Sequence, residues 1–69
     1  MFNREDLITY LSDIEITEIN MKDLYSEAAK QIDDPEIVKK LMSLSSAEER
    51  HAKMVSKIKK EVMSLSIED

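Results

Sequence analysis

Cysteine, glycine and tryptophan are absent from this chain, proline occurs once, and the aromatic residues are two tyrosines and one phenylalanine. Without cysteine there is neither a disulfide framework nor a thiolate metal site, a composition compatible with the cytosol. Without glycine, and with Pro35 alone, nothing punctuates a series of strands. Positive charge is also scarce: the net charge is -5, and no basic stripe exists to neutralise phosphates, which argues against a nucleic-acid partner and for a cationic one. No apolar run approaches the roughly 20 residues that span a bilayer. The start of the chain, Met1-Phe2-Asn3-Arg4-Glu5-Asp6, lacks the basic-then-apolar profile of a signal peptide. The expectation is a soluble, cytoplasmic chain with no membrane partner.

What is abundant is Leu, Ile, Met, Ala, Glu and Lys, all helix-compatible. Asn3 can cap a first helix whose dipole Glu5 and Asp6 complement. Helix is expected over about 4–32, a turn at about 33–34 where Asp33-Asp34-Pro35-Glu36 supplies a cap and a first-turn proline, and helix again over about 35–65, fraying from Ser64. Residues 1–69 thus form one all-α domain, an antiparallel two-helix hairpin. A chain of 69 residues buries little core alone, so a metal centre of hard ligands or self-association is the natural reinforcement.

Alternating steps of four and three along the first helix give Leu7, Leu11, Ile14, Glu18, Met21, Tyr25, Ala28 and Ile32. In the second helix they give Ile37, Leu41, Leu44, Glu48, His51, Val55, Ile58, Val62 and Leu65. These are heptad stripes of a bundle seam, and the ionisable members should point to the core. Counted from the turn at about 1.5 Å per residue, Glu18 lies about 23 Å away, Glu48 about 22 Å and His51 about 26 Å. Three ionisable groups should therefore meet in one layer, where two neighbouring carboxylates are costly unless protons or a cation neutralise them.

Glu48-Glu49-Arg50-His51 is a Glu-x-x-His sequence, whose spacing sets a carboxylate and an imidazole one turn apart on one face. One hairpin supplies two carboxylates and one imidazole, an incomplete shell. Two hairpins related by a twofold axis supply four carboxylates and two imidazoles, the ligand set of di-iron and di-manganese bundles. Four carboxylates balance two divalent ions. Oxygen and nitrogen ligands suit iron or manganese, and zinc or cobalt can take their place in a purified sample. Metal binding should then be linked to dimerisation.

The segment from Glu18 to Tyr25, followed by Glu48-Glu49-Arg50-His51-Ala52-Lys53, resembles the rubrerythrin-like branch of the ferritin superfamily, and most closely the encapsulated ferritins. The resemblance spans roughly residues 7–62 and rests on joint spacing: tyrosine seven residues after the first glutamate, and Glu-x-x-His thirty residues after it. It implies a ferritin-like four-helix bundle made from two hairpins. Glu18, Glu48 and His51 would be the metal ligands and catalytic residues of a ferroxidase, and Tyr25 would orient a ligand carboxylate. Further implied are a homodimer or ring of dimers, iron storage or detoxification, and residence in an encapsulin-type nanocompartment. Two features depart from the pattern. Thr17 and Asn20 stand where that family has extra acidic residues for iron access, leaving Glu15 as the candidate substitute. No long shell-docking tail follows, unless Ser64-Leu65-Ser66-Ile67 serves.

Two other readings accompany this one. A rubrerythrin-like peroxide reductase would need an external electron donor, since a rubredoxin-like iron site requires cysteines. A non-enzymatic helical interaction module would use Glu18, Glu48 and His51 to set register and partner choice. Met21, Met42, Met54 and Met63 read as core and interface filler, Glu49 and Arg50 as a solvated face. Ile16 and Ile19 fall off the stripe, as scattered surface residues or a further assembly surface.

Overall fold

The computed structural model describes residues 3–65. It is an all-helical hairpin of α1 (Arg4–Lys30) and α2 (Pro35–Ser64), with no strand among the described residues. Asn3 caps α1 by accepting from the Asp6 N–H. Asp34 caps α2 by accepting from the N–H groups of Glu36 and Ile37, and Pro35 takes the first turn. α1 ends at Lys30, short of the expected Ile32, with Gln31 as its C-cap. The reason is local: a residue preceding proline is pushed to extended backbone, and Asp34 has ψ 113, so residues 31–34 are spent on reversing the chain. The helices are antiparallel, as shown where the Arg4 guanidinium at the start of α1 donates to the Leu65 carbonyl just past α2, at 2.8 Å.

A hairpin measuring 54 × 15 × 14 Å is a single layer of helices, and one layer cannot enclose a side chain from all directions. Among the described residues none is fully buried; the least exposed are Leu11, Ala29, Ser45, Ala52 and Val62. The line of contact between the helices therefore differs from the expected seam. Leu11 and Val62 belong to the heptad stripes, but Ala29, Ser45 and Ala52 each follow a stripe member by one residue. Ser26 and Ser45 meet there, their hydroxyls 3.4 Å apart, and the Ser45 hydroxyl donates to the Lys22 carbonyl at 3.1 Å. Small side chains let the backbones approach, which turns the bulky stripe to one side of the hairpin.

On α2 that stripe is partly uncovered, with Ile37, Leu44 and Ile58 keeping 44, 47 and 41% of their surface, whereas on α1 its members from Leu7 to Ala28 are half-buried or buried. Of the methionines expected as filler, Met21 is half-buried, whereas Met42, Met54 and Met63 are exposed, because two helices offer no third element to receive them. Ile16 and Ile19 are exposed off the stripe, and Glu49 and Arg50 are solvated as expected. No described helix is long and apolar enough to cross a membrane. Residues 66–67 of the stretch considered for shell docking lie outside the described residues.

Candidate metal centre

Glu18 comes from the middle of α1, Glu48 and His51 from the middle of α2. With a short turn and two straight helices, residues at equal distance from the turn must lie level. The structure brings all three together: one donor atom from each lies within 4.8 Å of the others. His51 Nδ1 is 3.3 Å from Glu18 Oε2 and 3.2 Å from Glu48 Oε1. The carboxylates are mostly covered, with 15 and 20% of their side-chain surface left, whereas the imidazole keeps 58%. The cluster therefore spans α1 and α2 near their midpoints, with its carboxylates covered and its imidazole open to solvent.

His51 Nδ1 and Glu48 Oε1 have hydrogen-bond geometry, the Nδ1 hydrogen being the one donated in the tautomer that carries it, and Glu18 adds a second carboxylate oxygen at 3.3 Å. Nδ1 can bind a metal only after that hydrogen leaves or moves to Nε2, so a proton and a metal ion are alternative occupants of one position. The spacing suits the metal. A divalent ion about 2.1 Å from two neighbouring ligands holds those ligands roughly 3.0–3.4 Å apart, and both Nδ1–oxygen separations fall in that range. Three donors leave the shell of a tetrahedral or octahedral ion incomplete.

Tyr25 is half-buried on the same stripe, but among the described residues its hydroxyl makes no hydrogen bond to Glu18, Glu48 or His51. Glu15, the candidate for an iron-access carboxylate, is occupied elsewhere: Lys59 donates to its Oε1 at 2.8 Å. That hydrogen bond holds the Glu15 carboxyl below its ordinary value; burial opposes it, while the Lys59 charge, a Ser56 hydrogen bond and the Lys60 charge add to it. Glu15 lines a shallow groove with Ile19, Lys22, Glu49, Ala52, Lys53 and Ser56, which includes none of the three cluster residues.

Sequence reasoning did not anticipate this polar row. Its signal is present, because Ser12, Glu15, Lys22, Ser26 and Ala29 on α1, and Ser45, Ala52, Ser56 and Lys59 on α2, repeat at steps of three, four and seven. Each helix thus carries a second stripe one residue behind the apolar one. Comparison of the chain with protein-family models, with curated proteins and with solved structures finds no match.

Proposed function

We propose that this chain is half of a ferritin-like di-iron centre. Two hairpins pair across their uncovered apolar faces into a four-helix bundle, and the joint layer of four carboxylates and two imidazoles binds two Fe(II) ions as substrate. The reaction is that of a ferroxidase: two Fe(II), one O2 and two protons yield two Fe(III) and one H2O2. The observation that carries the reading is the convergence of Glu18, Glu48 and His51, one donor atom from each within 4.8 Å of the others, on a hairpin whose apolar side chains are partly uncovered.

In this centre Glu18 and Glu48 are terminal or bridging ligands and His51 is a terminal ligand. The carboxylates neutralise the bound Fe(II) pair and, as hard oxygen donors, favour the more highly charged product. His51 would offer the ion a ring nitrogen free of hydrogen, and its exposed ring would be covered by the second hairpin. The iron is stored or detoxified, in the cytoplasm or inside a nanocompartment shell; manganese or zinc fits the same donors.

The test is to add Fe(II) without oxygen to metal-free protein and follow association, then to admit oxygen and follow Fe(III) absorbance. The expected result is iron-dependent pairing, two iron ions per dimer, and oxidation well above the buffer rate. The absence of both iron-dependent pairing and oxidation above the buffer rate would sink the proposal. Faster reoxidation by peroxide than by oxygen would move the activity to peroxide reduction.

One observation favours a second reading. His51 Nδ1 already has hydrogen-bond geometry to Glu48 and lies 3.3 Å from a Glu18 oxygen, so the layer has polar partners without metal and can act as a polar register-setting feature of an interaction module. In that case Glu48→Gln and His51→Leu leave association intact or stronger. The metal reading expects both to weaken metal binding at least about tenfold.

A further inference from the structure

The proposed centre demands accuracy that its immediate surroundings do not supply. Ligand groups must be held within about 0.5 Å of their working geometry. Yet the layer lies about 22 Å from the turn that joins the helices, and the least exposed residues nearest it, Ser45 and Ala52, are small, the larger Leu11 and Val62 packing further towards the open end. Small side chains interlock weakly, so apolar packing there does little to stop one helix sliding or rotating against the other.

Directional bonds cross the contact line on both sides of the layer. On the turn side, the Ser45 hydroxyl donates to the Lys22 carbonyl at 3.1 Å and sits 3.4 Å from the Ser26 hydroxyl. On the far side, Lys59 Nζ donates to Glu15 Oε1 at 2.8 Å and to Ser12 Oγ at 3.4 Å. In sequence Glu18 falls between Glu15 and Lys22, while Glu48 and His51 fall between Ser45 and Lys59. The Lys59 and Glu15 side chains keep 23 and 21% of their surface, which makes this bond better shielded than the exposed Lys30–Glu27 pair, at 72 and 62%.

We infer that the Lys59–Glu15 ion pair is a positioning device for the metal layer, a cross-helix clamp on the side away from the turn that holds Glu18 level with Glu48 and His51. The inference rests on the di-metal reading for its purpose, but the clamp itself can be measured without metal. The long reach of Lys59 fits the task, since its ammonium must cross to α1 and meet two acceptors a turn apart, Ser12 and Glu15.

The absence of cysteine makes site-specific labelling direct. Asp23→Cys and Arg50→Cys place nitroxides at two exposed positions, one on each helix, away from the pair. Pulsed electron resonance on metal-free protein diluted with unlabelled chain then reads the register. The background chain and Lys59→Arg should give one narrow distance distribution. Lys59→Met should broaden it by a few Å, up to about one turn of 5.4 Å, with circular dichroism unchanged, and the charge-reversed pair Glu15→Lys with Lys59→Glu should restore it.

In parallel, Co(II) titration should show Lys59→Met binding about 10-fold or more weaker, with recovery in Lys59→Arg and in the reversed pair. An unchanged distance distribution in Lys59→Met overturns the clamp, as does a helical reversed pair that stays broad. Broadening with undiminished Co(II) affinity overturns the positioning role. If the wild-type chain itself binds no Co(II), the di-metal reading and the clamp's purpose fall, while the resonance measurement still decides whether the clamp exists.

Discussion

Pairing of two hairpins should be sensitive to Leu44 in a way that can be worked out from its exposure. Leu44 is four residues before Glu48 on the uncovered stripe and is 47% exposed; Ile37 and Ile58 on the same stripe are 44 and 41% exposed. Complete burial of such a side chain contributes about 1.5–3 kcal/mol, so covering what remains of these three contributes about 2–4 kcal/mol per chain and twice that per pair. A micromolar dimer requires about 8 kcal/mol. Apolar contact at these positions would therefore bring the proposed pair near the micromolar range at best, and with four carboxylates converging against it, the proposal makes metal decide the balance.

Leu44→Ala keeps the helix, alanine being the strongest helix former, and deletes about 1 kcal/mol of burial per chain, or about 2 kcal/mol per pair. The dissociation constant should rise about 30-fold. Sedimentation equilibrium with and without Co(II) or anaerobic Fe(II) measures it. Ile16→Ala is the control, a 58% exposed residue off the stripe whose loss should leave association unchanged. An unchanged constant for Leu44→Ala, or equal weakening by Ile16→Ala, would refute the assignment of the uncovered face as the pairing surface.

Three further outcomes are expected. Because the Lys59 hydrogen bond depresses the Glu15 carboxyl in the folded state, its contribution is fully present above the ordinary carboxylate value of about 4.3. It is lost as pH falls below that and through the folded value, so chemical denaturation of Glu15→Gln should lack this part of the acid-side decline. Asp34 accepts from two N–H groups at the start of α2, and Asp34→Ala should cost about 1 kcal/mol, seen as a fall in Tm of about 4–8 °C for a domain this small. Ala52 sits on the line of closest approach, and Ala52→Leu should destabilise the hairpin by about 1–3 kcal/mol through overpacking; a denaturation midpoint at or above the wild-type value would contradict the small-residue contact.

The local signals of this protein were legible in its sequence. Asn3 and Asp34 cap the helices because short polar side chains compete for free N–H groups, and Pro35 starts α2 because its ring suits a first turn. The layer was legible too, since helical rise is constant and a short turn converts sequence distance into height. That arithmetic is enough to bring Glu18, Glu48 and His51 within 4.8 Å of one another.

Tertiary structure alone decided which way the layer faces. Periodicity marks a stripe but not its neighbour, and each helix carries two stripes one residue apart: Tyr25 beside Ser26, Leu44 beside Ser45, His51 beside Ala52, Ile58 beside Lys59. Backbones approach most closely over small side chains, so Ser26 meets Ser45, both Ala29 and Ala52 are buried, and on α2 the bulky Leu44 and Ile58 of the neighbouring stripe are left exposed. Glu15 shows the same limit. One turn from Glu18, it looks like an accessory carboxylate until the fold brings Lys59, 44 residues away, to 2.8 Å from it. Spacing along one helix sets what is level and what shares a face, whereas the partner across the gap depends on how two surfaces pack.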